Sequence, residues 1–134
     1  MPFMTWKESY SVGIQEIDQQ HKVLFDMVNE LYDAMREGKG KDVIVNLLTE
    51  LFKYTKYHFK TEEGIFTKYH YSKAEDHLKE HLELKVKVET LLEDLNSGKT
   101  SISIKVFNLL KDWISIHIFQ KDMLYAKELE GKVK

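Results

Sequence analysis

The chain reads as all-α: an up-down-up-down four-helix bundle with an N-terminal arm and a short C-terminal helical segment. Three observations point there. Apolar residues recur at steps of three and four along four separate stretches, the period of a helix with one face in a core. Helix breakers are scarce, since the 134 residues include one Pro, at position 2, and six Gly, too few for a many-turned β fold. The connections between the periodic stretches are short, which sets consecutive helices antiparallel.

Residues Met1 to Ile17 place Trp6, Tyr10 and Val12 ahead of Gly13-Ile14 with neither a helical nor an alternating pattern. They are expected to form an ordered arm anchored by Trp6 and Ile14. Asp18 is expected to cap the first helix, its carboxylate accepting from backbone N–H groups two or three residues on. That helix carries Ile17, His21, Leu24, Phe25, Val28, Leu31, Tyr32 and Met35 on one face and ends at Gly38-Lys39-Gly40. The second helix turns Ile44, Leu47, Leu48, Leu51, Thr55, His58, Phe59, Glu62 and Phe66 inward; Gly64 weakens it, and it should stop near Tyr69. A glutamate on such a stripe is costly unless a cation meets it. Ser72-Lys73-Ala74-Glu75 has the spacing of a capping box. It opens a third helix whose stripe is Ala74, His77, His81, Leu84, Val88, Leu91 and Leu95, ended by Asn96-Ser97-Gly98. The fourth carries Ile102, Val106, Leu109, Leu110, Trp113, Ile116 and His117, and Met123 to Lys134 should add a short helical turn and a charged tail. No linker or composition shift suggests a second domain. One domain is expected over residues 1–134, with the arm at 1–17, the bundle at 18–126 and the tail at 127–134.

Composition removes several classes of function. Twenty basic and 22 acidic residues give a net charge of −2 with no run of one sign, so there is no electrostatic footprint for nucleic acid. Cysteine is absent, which excludes disulfides, thiolate metal sites and thiol nucleophiles. The opening Met1-Pro2-Phe3-Met4 lacks the basic and apolar regions of a secretory signal, and no apolar run approaches the ~18–20 residues of a membrane span. A cytoplasmic monomer is the expectation.

The polar residues on the inward stripes carry the chemistry. Of six histidines, five lie on those stripes: His21, His58, His77, His81 and His117. The sixth, His70, falls in the break before Ser72 and is expected at the surface. A lone histidine on an apolar face is ordinarily a satisfied core residue. Five together would each need a partner for a ring nitrogen, and neutral imidazole is a common transition-metal ligand. His58 and Glu62, like His77 and His81, are four residues apart, about 400° of helix rotation, so each pair shares one face. Glu63 and Glu80, rotated by about 100°, should face water. Asp122 follows His117 by five residues, about 140° round on a regular helix. Either the helix widens there into a π-type turn or the chain turns inward; the spacing leaves this open. Five imidazoles and one or two carboxylates exceed what one tetrahedral zinc takes and suit two six-coordinate metals with bridging carboxylates. The paired Glu-x-x-His motifs of ferritin-like sites and the H-E-x-x-H of zinc proteases are both absent.

Taken together, Asp18-x-x-His21, His58-Phe59-x-x-Glu62-Glu63, His77-x-x-x-His81 and Trp113-Ile114-x-x-His117-Ile118-x-x-x-Asp122 resemble the hemerythrin family, specifically its single-domain bacterial members. The resemblance runs from about Trp6 to Tyr125. It implies two non-haem iron ions with an oxo or hydroxo bridge: His77, His81 and His117 on one iron, His21 and His58 on the other, Glu62 and Asp122 bridging. It thereby places Asp122, which the spacing does not. It also implies reversible O2 binding, for storage, delivery or sensing, in a pocket lined by Leu24, Phe59, Trp113 and Ile114. A di-iron enzyme reducing peroxide or nitric oxide is the alternative. Two departures from the family pattern, Phe66 in place of a common Met and Tyr71-Ser72 in place of Tyr-Pro, bear on ligand access rather than on the metals.

Overall fold

The apolar periodicity becomes three long helices and one short one in the computed structural model, which describes residues 5–98, 112, 121–130 and 132. They are α1 (Gln15–Arg36), α2 (Lys41–Tyr69), α3 (Ala74–Asn96) and α4 (Met123–Glu128). No strand occurs among the described residues. Helix α2 packs against both α1 and α3, and the short connections 37–40 and 70–73 make each pair antiparallel. Of the expected helix from Ile102 to His117 only Asp112 is described, with helical backbone, and the rest lies outside the described residues.

The helix ends follow backbone chemistry. After α1, Gly38 takes φ 71°, the left-handed geometry that a helix C-terminus favours and a side chain resists. Helix α2 stops at Tyr69, as expected, because His70 turns left-handed at φ 53°, with the Phe66 carbonyl accepting from the His70 and Tyr71 N–H groups. His70 is exposed there.

Two caps differ from expectation. Helix α1 begins at Gln15, a turn ahead of the expected start, so Asp18 lies inside it. Its carboxylate accepts instead from the Val12 N–H at 2.8 Å and from the Ser11 hydroxyl, tying the arm back onto the helix. Ser72 does not cap α3, which starts after Lys73 with no side-chain cap. Its N–H donates to Glu128 Oε2 at 2.8 Å and its hydroxyl to Glu128 Oε1. The hydroxyl is thus taken by a carboxylate of α4, a partner that local spacing does not reveal.

Burial sorts the stripes into two apolar clusters. Leu24, Phe25, Val28, Leu31, Ala34, Ile44, Leu48, Leu51, Phe59, Leu91 and Leu95 form the larger. Val12, Ile14, Ile17, Phe66, Tyr71, Tyr125 and Leu129 form the smaller, where the arm and α4 meet α2. Each fully buried aliphatic or aromatic side chain contributes roughly 1.5–3 kcal/mol. Trp6 anchors the arm as expected, its ring edge-on to Phe25 at 5.6 Å. Leu47, Tyr32, Met35, Ala74, Leu84 and Val88 are half-buried rather than buried, and Ala34 takes a core position on α1. No helix among the described residues is long and apolar enough to cross a membrane.

Gly64 sits on the exposed face of α2, and a Cβ built there meets nothing within 4 Å. Gly64→Ala is therefore expected to stabilise the fold by about 0.5–1 kcal/mol through backbone entropy and helix propensity, read as a raised urea midpoint. An unchanged or lowered midpoint contradicts it.

Candidate metal centre

Along α1 the apolar stripe is interrupted between Ile17 and Leu24, and along α2 between Leu51 and Phe66. Into those interruptions the sequence puts Gln20 and His21 on α1 and Thr55, His58 and Glu62 on α2, all buried. Helix α3 adds His77 and His81 one turn apart. Asp122 arrives from the residues just ahead of α4. The buried polar groups thus gather between the larger apolar cluster, which holds Leu24 and Phe59, and the smaller, which holds Ile17 and Phe66.

Their donor atoms converge. One oxygen or nitrogen from each of His21, His58, Glu62 and Asp122 lies within 4.8 Å of all the others, and the same holds for Glu62, His77 and His81. Each carboxylate reaches an imidazole from α3 and one from α1 or α2. Asp122 puts Oδ2 at 3.0 Å from His21 Nε2 and Oδ1 at 3.1 Å from His77 Nε2. Glu62 Oε1 lies 2.9 Å from His58 Nε2 and 3.6 Å from His81 Nε2. That is a two-compartment cluster joined by two acids.

The cluster is built for positive charge. Glu62 and Asp122 are both 0% exposed, and a buried carboxylate is tolerated only when something cationic faces it. Burial alone would lower the His21 and His77 imidazoles, yet the hydrogen bond and charge of Asp122, helped by Glu62, hold both above their ordinary value. Protons, or metal cations in their stead, meet the same demand. Burial and the Glu62 and Asp122 carboxylates also push the Tyr125 phenol well above its ordinary range, so it stays neutral. The donor set is imidazole nitrogen and carboxylate oxygen, which suits iron, manganese or zinc.

The hemerythrin HHE cation binding domain matches residues 12–129 of this chain as a family. The chain belongs to the hemerythrin family. The bacteriohemerythrin of Methylococcus capsulatus is 32% identical over 94% of this chain and 96% of its own length. That of Clostridium acetobutylicum is 28% identical over 90% and 96%. A crystal structure of wild-type hemerythrin superposes with a TM-score of 0.86 at 31% identity, covering 93% of this chain and 96% of that one. The fold is the hemerythrin helical bundle. These relatives carry the names of hemerythrins.

In this hemerythrin-family chain the structure brings His21, His58, Glu62, His77, His81 and Asp122 together. His117, Trp113 and Ile114 lie outside the described residues. Residues 121–122 adopt π-helical geometry, the wider of the two local routes by which Asp122 could turn inward. Leu24 and Phe59 are 0% exposed, and the Phe59 ring stacks on the His81 ring with centroids 3.7 Å apart and planes within 5°. Phe66, which departs from the family pattern, and Tyr71, which precedes the departure at Ser72, pack their rings against His77.

Two carboxylates expected in water are engaged. Glu63 Oε2 lies 2.9 Å from His81 Nδ1, and Glu80 pairs with Lys121 at 3.1 Å. Gln20, which carried no signal on the apolar stripe of α1, accepts from His58 Nδ1 at 2.7 Å. Its signal is its place beside His21, where a long polar side chain can reach the neighbouring helix.

Proposed function

We propose that this chain binds O2 reversibly at a di-iron centre, as a store, carrier or sensor of the gas. The observation that carries the reading is the pair of fully buried carboxylates, each set between one imidazole of α3 and one of α1 or α2. His77 and His81, with His117, would hold one iron; His21 and His58 the other; Glu62 and Asp122 would span both, beside an oxo or hydroxo bridge. Bound there, an iron pair would supply the redox chemistry on which O2 capture draws.

The protein's own part is to place ligands and keep the site dry. Leu24 and Phe59 present carbon only, and with Trp113 and Ile114 they would close the pocket to water and to acidic groups. A lining free of water and proton donors is what reversible binding of O2 would ask of these residues. The mixed surface charge suits a monomer free in the cytoplasm.

The test is a spectrum. Protein loaded with ferrous iron under anaerobic conditions and then exposed to air is expected to gain a visible charge-transfer band that fades when oxygen is removed. A chain that takes up no iron, or that oxidises irreversibly and turns over peroxide or nitric oxide, overturns the carrier reading, the second outcome in favour of the enzyme.

A further inference from the structure

The metal-facing nitrogen of an imidazole is available only when the proton sits on the other one, so whatever holds that proton matters as much as the ligand itself. Around His58 the structure supplies a chain of hydrogen bonds with a direction. The Tyr57 carbonyl can only accept, and the Thr61 hydroxyl donates to it at 3.2 Å. With its proton so committed, Thr61 Oγ1 accepts from Gln20 Nε2 at 3.2 Å. That turns the Gln20 amide so that Oε1, an acceptor, faces His58 Nδ1 at 2.7 Å. His58 therefore donates from Nδ1, and its Nε2 is turned toward Glu62 Oε1, 2.9 Å away. A proton or a metal cation between that nitrogen and the carboxylate makes the facing pair favourable.

His81 is held the same way by a different kind of partner. Its Nδ1 lies 2.9 Å from Glu63 Oε2, a carboxylate at the edge of solvent. An anionic acceptor pulls harder on the Nδ1 proton than a neutral amide does and makes the imidazole a stronger donor.

Resting on the metal-centre reading above, we propose that Gln20, its direction set by Thr61, is the positioning residue of His58. Its neutrality, against the anion of Glu63 behind His81, adds to the inequality that two histidines against three already gives the ends of the cluster. The His58 end then holds its metal more weakly and loses it first.

Zinc is a suitable probe, being diamagnetic and redox-silent. Competition of the zinc-loaded chain with a chelator is expected to resolve two dissociation constants. Gln20→Leu should weaken the weaker site by about 10–100-fold, the usual cost of losing an outer partner, and leave the tighter one within a factor of about 3. Gln20→Glu should strengthen the weaker site and move the His58 Nδ1–H proton resonance downfield. Glu63→Gln should act on the tighter site instead. Thr61→Val, which removes the anchor of the relay and keeps the shape, should weaken the His58 site less than Gln20→Leu does. It also serves as the test if the leucine variant does not fold. Equal zinc affinities in wild type and Gln20→Leu, or an unmoved His58 resonance in Gln20→Glu, overturn the inference and leave the metal centre standing. A wild-type chain that takes up no zinc overturns both.

Discussion

Glu62→Ala is expected to lose metal binding by more than about 100-fold, beyond what loss of an outer partner costs, and to lose with it the stability that metal supplies. Glu62 is the member common to both groups of donors, facing His58 on its own helix and His81 on α3. Without it the two compartments share only Asp122. The metal-free protein suffers as well. The cluster balances raised imidazoles against buried acids, and removing one partner of a buried ion pair costs roughly 3–5 kcal/mol. Metal analysis together with urea unfolding, with and without added metal, reads both effects. The isosteric Glu62→Gln separates them, because it keeps the volume and one oxygen while removing the charge; metal should be lost with a smaller drop in metal-free stability. Iron or zinc content equal to the parent's would sink the claim that Glu62 is a ligand.

The parts of the site that periodicity could reach are those on regular helix. His58 and Glu62 share a face because four residues make little more than one turn, and both are 0% exposed on the face that the apolar pattern of α2 predicts. The same arithmetic fails for Asp122, since an i,i+5 step leaves the face of a regular helix, and the π geometry at 121–122, where Asp122 is buried, carries no signal in that spacing. It also fails for the groups behind the ligands. Glu63 lies off the stripe of α2 by about 100°, and that rotation aims it at His81 once α3 is docked alongside. Gln20 reaches His58 across the α1–α2 contact. Which residues meet between helices depends on how the helices dock, and a pattern along one chain does not carry that. Ser72 makes the same point at a helix end, where the local capping motif loses its hydroxyl to Glu128 on a distant element.

Phe59→Ala is expected to destabilise the protein by about 3–5 kcal/mol, the cost of truncating a buried aromatic ring, with a marked drop in the urea midpoint at fixed zinc concentration. The ring is 0% exposed and belongs to the larger apolar cluster, so part of this cost is ordinary packing. The rest is particular to the site. Its face lies flat on the His81 imidazole, so its removal frees a ligand ring to tilt and opens a void next to it. A void beside buried carboxylates and imidazoles has polar partners enough to hold water, unlike an apolar cavity. Water there brings protons to the place the pocket is proposed to keep dry. Two measurements divide the effects. Phe59→Leu retains most of the apolar volume and loses the flat contact, so it should recover much of the stability of Phe59→Ala. If Phe59 serves only the core, oxygenated protein should persist as long in both variants as in the parent. If it also seals the pocket, the oxygenated form of Phe59→Ala decays to the ferric state faster than that of Phe59→Leu, and faster decay beyond the loss of stability is the signature of water let in.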